Sequence, residues 1–299
     1  MEIPERALDF WDHSEPFKLP LRVPYLGMGS SYFAPLAFKY MNINIHPDVA
    51  SEFYHYQYGS IILPQAVILS QSGRSSEALW CAKLFETYIA ITNNPDGELS
   101  KFKNVVQTIP LLAGDEHFSS SKTYINTLLA LFKGFGFEVN NAINLLKKKM
   151  VKYDESGKKM ANEIFDLIMQ KNIHGIYITG SGPNIATAYE ASLILSESTK
   201  ICFTGLPMAQ YDHGPKETSA NSIVIQILAK GKSYDRAQKL IETIRNAGAQ
   251  VITVEEPEVD ENMSVIHNII PFNFLAYHLA RKLNIKDTFI VGGKVTEAL

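Results

Sequence analysis

The chain contains one pattern twice: a short run of β-branched and aromatic residues, a Gly-x-Gly turn and a helical segment. The first copy is RVPYLGMGSSYFAPLAFKYM and the second is HGIYITGSGPNIATAYEASLIL. A further pair of segments, around Gly73 and Gly231, corresponds as strand, Gly-containing turn, helix and strand. Strands that alternate with helices predict βαβ units in a parallel sheet. The internal repeat therefore predicts two similar α/β units in one chain.

The repeat also sets the expected domain boundary. The basic cluster at 147–149 is followed by VKYDESGKK, which we interpret as a helix end and a linker. We therefore predict an N-terminal domain at 1–150 and a C-terminal domain at 151–299. The 299 residues suffice for two domains of ordinary size, each with its own core.

The turn in the first copy, SQSGRS at residues 70–75, contains no large apolar side chain. It lies between the apolar run QAVIL and a helical segment, whose first N–H groups lack intrahelical partners and therefore favour an anion. Serine hydroxyls add donors, and Gly73 allows the backbone to curl toward a ligand. The alternative is that Ser75 or Ser76 only caps the helix, for which one serine suffices. The density of serines favours a phosphate cradle, at the sheet edge where open α/β proteins bind ligands.

Two other phosphate-binding motifs fit less well. A Walker loop is excluded because no GK[ST] follows at the required spacing. A dinucleotide site is an alternative, since GMGSS and GSGPN both follow strands, but both lack the third glycine of GxGxxG. The second copy has AKGKS where the first has SQSGRS, so the serine-rich turn occurs once in the duplicated scaffold.

Composition and charge narrow the classes of function. The chain is 46% hydrophobic and 20% charged, and its net charge of −3 gives no electrostatic argument for binding nucleic acid or an anionic membrane. No apolar stretch reaches the ~20 residues that span a bilayer, and the start MEIPERALDFWDH lacks the pattern of a signal peptide. Cys81 and Cys202 form no CxxC motif, so we expect reduced, buried thiols in a cytoplasmic protein. The eight histidines show no metal-ligand spacing, so we expect no catalytic metal.

Seven motifs occur in one order along the chain: GMGSS, ASEF, SQSGRS, SSSK, ATAYEASLILSES, DHGP and GGKVTEAL. Together they resemble the tandem sugar isomerase (SIS) domain family, above all the isomerase half of glutamine–fructose-6-phosphate aminotransferase, from about residue 20 to the C-terminus. The resemblance implies two duplicated SIS domains, each a flavodoxin-like parallel sheet flanked by helices in three layers, α/β/α. The family binds a hexose 6-phosphate and interconverts ketose and aldose through an enediol or enolamine. We expect no cofactor.

The resemblance places the substrate phosphate on serine-rich segments of the first domain. The residues that it implies for phosphate binding are Ser31, Ser70, Gln71, Ser72, Ser75 and Ser121. Ser121 stands just before Lys122, in a segment that is one residue shorter than its counterpart in the family.

Three further residues match catalytic positions of the family. Glu197 matches the glutamate that moves the proton between C1 and C2, and a carboxylate in a partly dry pocket can serve as such a base. His213 matches the histidine linked to ring opening, which crosses over from the partner subunit, and Lys294 matches the tail lysine that contacts the open-chain sugar. Glu190 lies on the same side of the helix as Glu197, and we give it either a structural role or a role in supporting the residues that contact the substrate. Without the resemblance, both glutamates would be interpreted as solvated helix-face acids.

The chain departs from the family at three places. It begins Met-Glu about twenty residues before the first SIS strand, without the N-terminal cysteine of a glutaminase domain, so we expect chemistry with free ammonia. Ile194 stands where the family helix usually has a lysine that faces the sugar. AQYDHGP replaces the common GELKHGP. These changes leave the ring-opening step and the identity of the substrate open.

The leading hypothesis is a homodimeric enzyme that converts glucosamine 6-phosphate to fructose 6-phosphate and ammonia, or runs this reaction reversibly. A simple phosphosugar isomerase and a fructosamine-6-phosphate deglycase would use the same residues and are alternatives. A non-enzymatic sugar-phosphate sensor is an alternative of another class. Such a sensor could lose the catalytic residues, which this chain keeps. Neither nucleic acid nor a membrane is an expected partner.

Overall fold

The parallel sheets expected from the repeat are present, one in each of two compact units. The computed structural model describes residues 2–57, 62–170 and 172–295. The units are formed by the described residues up to Ile143 with those from Ile290 onward, and by Asn144 to Phe289. The predicted domain boundary near residue 150 stays a prediction, and the tail after Phe289 groups with the first unit.

The first unit contains a sheet of five parallel strands. They are β1 (Pro24–Gly27), β2 (His46–Val49), β3 (Leu63–Leu69), β4 (Phe85–Thr92) and β5 (Val105–Pro110). The helices are α1 (Ile3–His13), α2 (Ser30–Tyr40), α3 (Ala50–Glu52), α4 (Ser76–Ala82), α5 (Lys122–Gly134) and the first turn of α6 (Asn140–Gln170). A π-helical turn at Phe53–Gln57 and a 3-10 turn at Glu98–Ser100 complete the described elements. The strand order is β2-β1-β3-β4-β5.

The central strands of this sheet are buried on both faces. This explains why β3 and β4 have nearly continuous apolar runs instead of alternating ones. On one face, Leu26 and Ile68 share a core with Ala78 and Cys81. Neighbouring side chains of a strand point to opposite faces, so Tyr25 lies on the other face from Leu26. There its ring centroid is 6.0 Å from that of Phe135, which directly follows α5.

The second unit contains a sheet of four parallel strands. They are β6 (Gly175–Gly180), β7 (Thr204–Pro207), β8 (Ser222–Leu228) and β9 (Gln250–Glu255). Its helices are the rest of α6, α7 (Asn184–Thr199), α8 (Met208–Asp212), α9 (Tyr234–Asn246), α10 (Ser264–Asn268) and α11 (Ile270–Lys282), with a 3-10 turn at Pro215–Thr218. The strand order is β7-β6-β8-β9, and every residue of β8 is buried. Val224 of β8 packs with Leu240 and Ile241 of α9.

Each sheet has one place where the direction of strand addition reverses. In the first unit this topological switch point lies between β1 and β3, which pair with Leu26 beside Ile68. In the second unit it lies between β6 and β8, where Ile178 pairs with Ile225. The loops that leave the carboxyl ends of these strands diverge, and open α/β proteins bind ligands in the resulting crevice.

The linker predicted at VKYDESGKK is wrong, as is the helix end at 147–149. One helix, α6, continues through both segments. Gly157 does not interrupt this helix. It lies where α11 comes close, since a Cβ atom at Gly157 would lie 2.4 Å from Cβ of Phe274 and 2.8 Å from the carbonyl oxygen of Pro271. The glycine therefore serves close helix packing.

Two other expectations from the sequence have separate outcomes. The expectation of two buried thiols is confirmed for Cys81 and is wrong for Cys202, which is exposed. Burial raises the pKa of the Cys81 thiol to about 12. Within the described ranges, none of the helices combines the length and the apolar character that crossing a membrane requires.

Candidate functional site

The serine-rich loop 70–75 connects the end of β3 to the start of α4. Ser70 is buried, and its hydroxyl donates to Oγ of Ser75 at 3.3 Å, so the loop folds back on itself. The N–H of Gly73 donates to the carbonyl oxygen of Ser70 at 3.1 Å. Gly73 has a φ of 65°, in the left-handed region that favours glycine. The side chains of Gln71 and Ser72 are partly exposed.

The carbonyl groups of this loop are bound by the segment that follows β4. The carbonyl oxygens of Gln71, Ser72 and Gly73 each accept a hydrogen bond from it. The donors are the N–H of Asn93 at 3.1 Å, the side-chain amide of Asn94 at 3.1 Å and the N–H of Leu99 at 2.9 Å. Thr92 adds a fourth bond, from its hydroxyl to the carbonyl of Gln71, at 3.3 Å. A trans peptide group directs its N–H opposite to its C=O, so the N–H groups that follow these carbonyls turn away from this segment. Two of these N–H groups are used within the loop: that of Gly73 donates to the carbonyl oxygen of Ser70, and that of Arg74 donates to Oγ of Ser72 at 3.2 Å.

Ser31 lies at the neighbouring strand end. It is the second residue of α2, and its N–H donates to the carbonyl oxygen of Met28 at 3.0 Å. Gly27 lets α2 start close to β1, because a Cβ there would lie 2.6 Å from backbone atoms of Ser31. Since β1 and β3 are adjacent, Ser31 and loop 70–75 flank the switch point of the first unit. Five of the six predicted phosphate-binding residues thus lie at the carboxyl ends of two adjacent strands, β1 and β3.

Ser121, the sixth, is engaged by an acid that the sequence analysis missed. The carboxylate of Glu116 accepts the hydroxyl of Ser121 at 2.8 Å, its N–H at 3.0 Å and the N–H of Lys122 at 2.8 Å. Glu116 therefore caps α5 and occupies the donors at its N-terminus. A hydroxyl has one hydrogen to donate, so a phosphate would have to compete with Glu116 for that of Ser121. The sequence signal that could have indicated this cap is an acid six residues before the start of the helix.

Lys294 meets the same acid. Its ammonium donates to the carbonyl oxygen of Glu116 at 2.6 Å and lies 3.6 Å from the Glu116 carboxylate. The structure thus brings Ser121 and Lys294 together at one residue of the first unit. Residues 296–299, the end of the GGKVTEAL motif, lie outside the described residues.

The predicted proton-transfer residue, Glu197, lies near the end of α7 in the second unit. Its side chain is partly exposed, whereas Glu190, two turns earlier, is fully buried. The role of Glu190 stays a prediction. Ile194, at the position where the resemblance implied a lysine, is also fully buried. Its side chain belongs to the apolar core, which explains why an apolar residue is accepted at this position.

His213 is exposed and directly follows α8. Its backbone N–H donates to the carbonyl oxygen of Ala209 at 3.1 Å. The preceding residue, Asp212, binds Arg236 and Lys216, each at 3.0 Å. These two cations, Arg236 foremost, lower the pKa of the Asp212 carboxyl. The backbone of the DHGP turn is therefore fixed within the second unit, and the imidazole of His213 is exposed.

Comparison with known proteins identifies relatives of this chain. No protein-family model matches it. Glutamine–fructose-6-phosphate aminotransferase of Thermococcus kodakarensis is 26% identical over 303 residues, which cover 87% of this chain and 49% of that protein. The corresponding enzyme of Methanothermobacter thermautotrophicus is 28% identical over 294 residues, with 87% and 48% covered. Similarity over this length indicates homology. The chain spans about half the length of the curated relatives it matches.

Solved structures show the same fold over nearly the whole chain. Glucosamine-6-phosphate deaminase of Thermotoga maritima superposes with a TM-score of 0.78 at 18% identity, covering 96% of this chain and 95% of that one. The C-terminal domain of glucosamine-fructose-6-phosphate aminotransferase from Francisella tularensis gives 0.77 at 17% identity, with 96% and 95% covered. Tagatose-6-phosphate ketose/aldose isomerase of Escherichia coli gives 0.72 at 14% identity, with 97% and 94% covered. The α/β fold with parallel sheets is therefore shared with these proteins.

Proposed function

We propose that this protein is a sugar-phosphate isomerase-type enzyme that acts on a hexose or hexosamine 6-phosphate. The observation that carries the proposal is loop 70–75. It lies at the switch point of the first sheet, contains three serines and has its carbonyls held by residues 92–99. Its N–H and hydroxyl groups are the donors that we propose for a phosphate dianion, which would replace the internal bonds of Ser70, Gly73 and Arg74. The relatives and the structures of similar fold, which include a deaminase and an isomerase of 6-phosphorylated sugars, support the same substrate class.

The reaction that we propose is conversion of glucosamine 6-phosphate to fructose 6-phosphate and ammonia, without glutamine. His213 assists opening of the ring, which gives the 2-amino aldehyde. Glu197 takes the proton from C2 and returns it to C1, so that the enolamine becomes a C2 imine. Water then adds to C2, ammonia leaves and the ketone is formed. Lys294 contacts the open-chain sugar, and loop 70–75 with Ser31 holds the phosphate.

The assembly that we propose is a cytoplasmic homodimer in which His213 completes the site of the partner subunit. We also propose that the two units are duplicated SIS domains. The supporting observation is that the four strands of the second sheet have the order 2-1-3-4, which the first sheet also has before its fifth strand. In both units the reversal falls between the first and third strands, where the Gly-x-Gly turn begins.

The test is release of ammonia from glucosamine 6-phosphate by the full chain. We expect turnover in the wild type and a loss of about 10²- to 10⁴-fold in kcat for Glu197→Gln, with KM changed little, because a general base acts in the transition state. Glu242→Gln, the same change on the exposed face of α9, is the matched control and should keep full activity.

The alternatives predict different products. Activity on plain hexose 6-phosphates without ammonia release would favour a simple isomerase, and release of an amino acid from a 6-phosphorylated fructosamine would favour a deglycase. If the chain binds these compounds without turnover and Glu197→Gln changes nothing, the protein is a sensor and the proposal is wrong.

A further inference from the structure

The second unit has a switch-point crevice of its own, but without a serine-rich loop. The crevice lies where β6 and β8 end, between the turn 180–184 and the turn 229–233. Two full-length helices, α7 and α9, begin from these turns. The positive ends of both helix dipoles lie at these turns, which favours negative charge there.

The carboxylate of Glu261 occupies this crevice. A Cβ at Gly231 would lie 2.1 Å from Cδ and 2.2 Å from Oε2 of Glu261, so only a glycine leaves room for the carboxylate there. A Cβ at Gly182, on the opposite turn, would lie 3.1 Å from Oε1. The backbone N–H of Lys232 hydrogen-bonds to the carboxylate, and burial raises the pKa of Glu261. The carboxylate is therefore held between both Gly-containing turns.

Little other space is left in the crevice. A cavity of about 10 Å³ remains, bordered by Glu261 and by polar residues of both turns, which include Ser181, Asn184 and Ser233. This volume holds about one water molecule at most. A phosphate group therefore fits only where the Glu261 carboxylate now lies.

A buried hydrogen-bond chain fixes the position of Glu261. The hydroxyl of Ser264 donates to the carbonyl oxygen of Glu261 at 2.7 Å and accepts the side-chain amide of Asn184 at 2.7 Å. The amide of Asn268 donates to Asn184 at 3.2 Å. All three partners are buried, so they tie the loop of Glu261 to the start of α7.

The first unit differs at the corresponding place. The segment that follows β4 provides the amide and hydroxyl donors of 92–99 to loop 70–75. Its two acids, Asp96 and Glu98, are exposed. This segment thus places no carboxylate in the first crevice, whereas in the second crevice a carboxylate from the corresponding segment accepts the N–H of Lys232.

We propose that Glu261 is an internal anion that fills an anion-binding crevice in the second unit and thereby confines phosphoester binding to the first. Removal of this carboxylate exposes a second site for a small oxyanion. Confinement to the first unit rests on the proposed function, whereas the existence of the second crevice does not.

The experiment measures the number of inorganic phosphate ions bound per full-length chain by calorimetry in a phosphate-free buffer. We expect one in the wild type and two in Glu261→Ala. Glu258→Ala, which removes an exposed acid of the same loop, should bind one, like the wild type. In a chain that carries Ser72→Ala and Ser75→Ala, we expect no bound phosphate ion when Glu261 is present and one when Glu261 is replaced by alanine.

The outcomes separate the two proposals. If the wild type binds none and Glu261→Ala binds one, the phosphate loop of the proposed function fails while the second crevice stands. If Glu261→Ala gains no phosphate, or if the loop-deficient chain with Glu261 intact still binds one in the second unit, the inference is overturned.

A second measurement covers the case in which Glu261→Ala folds poorly. Gly231→Ala should lower the melting temperature strongly in the wild type, because its Cβ meets the carboxylate. It should lower the melting temperature of a Glu261→Ser chain much less, and phosphate should raise the melting temperature of that chain. Equal effects of Gly231→Ala in both backgrounds would show that Glu261 does not fill the crevice.

Discussion

The side-chain ammonium of Lys294 lies 2.6 Å from the main-chain carbonyl oxygen of Glu116 and 3.6 Å from its carboxylate. The same carboxylate accepts the hydroxyl of Ser121 and the N–H of Lys122. The Glu116 side chain is only 4% exposed, so these bonds are shielded from water. Glu116 therefore positions two residues of the proposed site at once.

We expect Glu116→Ala to lower the free energy of unfolding by about 1–3 kcal/mol, because it removes a helix cap and leaves buried donors unsatisfied. It should also lower kcat/KM for the sugar phosphate, because Lys294 loses the carboxylate 3.6 Å away, although its bond to the main-chain carbonyl remains. Urea unfolding and steady-state kinetics measure the two effects. Glu86→Ala, at an exposed acid of the same unit that lies outside loop 70–75 and segment 92–99, is the control.

If Glu116 acts through Lys294, the kinetic losses of Glu116→Ala and Lys294→Met should not add in the double variant. Full additivity would contradict this coupling, and unchanged kinetics in Glu116→Ala would exclude a positioning role.

Gly73 provides a test of the phosphate loop with a matched control. An alanine there would adopt a φ of 65° and place its Cβ 3.2 Å from the carbonyl oxygen of Asn94 and from the hydroxyl of Thr92. Gly136 has a φ of 78°, and its Cβ would meet no described atom within 4 Å. Both substitutions cost about 1–2 kcal/mol of backbone strain, but only Gly73→Ala displaces the loop.

We therefore expect Gly73→Ala to raise KM for a hexose 6-phosphate about tenfold or more, equivalent to roughly 1.4 kcal/mol of binding. Gly136→Ala should leave KM unchanged while lowering the melting temperature. Equal KM values in the two variants would show that loop 70–75 does not bind the phosphate.

The sequence predicted features whose causes lie within a short segment. A strand end, a glycine and several serines are neighbours in 70–75, so the turn was recognisable. The decisive contacts of Gly157 with Phe274, and of Glu116 with Lys294, join residues that are far apart in sequence. Glu116 and Lys294 are separated by 178 positions, and no local pattern shows that they meet.

Two strands, β5 and β7, were not predicted from the sequence, for a different reason. β5 and β7 lie at the edges of their sheets. Residues of β5 are partly exposed along most of the strand, and β7 has only four residues. Edge strands of this kind lack the continuous apolar run by which β3, β4 and β8 were predicted.

At Gly157, the expected effect of alanine on the free energy of unfolding is opposite in sign to the effect that helix propensity predicts. In an exposed helix, glycine to alanine stabilises by about 1 kcal/mol. At Gly157 the new Cβ would lie 2.4 Å from Cβ of Phe274 and 2.8 Å from N of Leu275, so α11 has to move. We expect Gly157→Ala to lower the free energy of unfolding by about 1–3 kcal/mol, measured by urea unfolding.

Glu155→Ala, at an exposed position on the same helix, is the control and should change stability by less than about 0.5 kcal/mol. A stabilised Gly157→Ala variant would mean that α6 and α11 are not in close contact at this point.

His267 predicts how the stability of the second unit depends on pH. The hydroxyl of Tyr153 donates its one hydrogen to Glu256 at 2.9 Å, so Nδ1 of His267 is the donor in the 2.9 Å bond between His267 and Tyr153. Nε2 is buried and meets no hydrogen-bond partner among the described residues. Burial lowers the pKa of His267 from 6.5 to about 4, against the attraction of Glu256.

A histidine with a lowered pKa is neutral in the folded unit, whereas the unfolded chain takes up a proton below pH 6.5. The unfolded state then binds more protons, so stability falls as the pH falls from 6.5 to about 4, by roughly 3 kcal/mol over the whole range. Above pH 6.5 this contribution is constant. His267→Gln removes the titrating group and should flatten this part of the profile.

Hydrogen exchange of the buried amides of β8, measured at pH values from 7 down to 4, reports the opening free energy of the second unit. His174→Gln, at an exposed histidine of the same unit, controls for the loss of a histidine. If His267→Gln and the wild type lose stability in parallel as the pH falls, His267 is not the group that titrates, and another buried group must take up the proton.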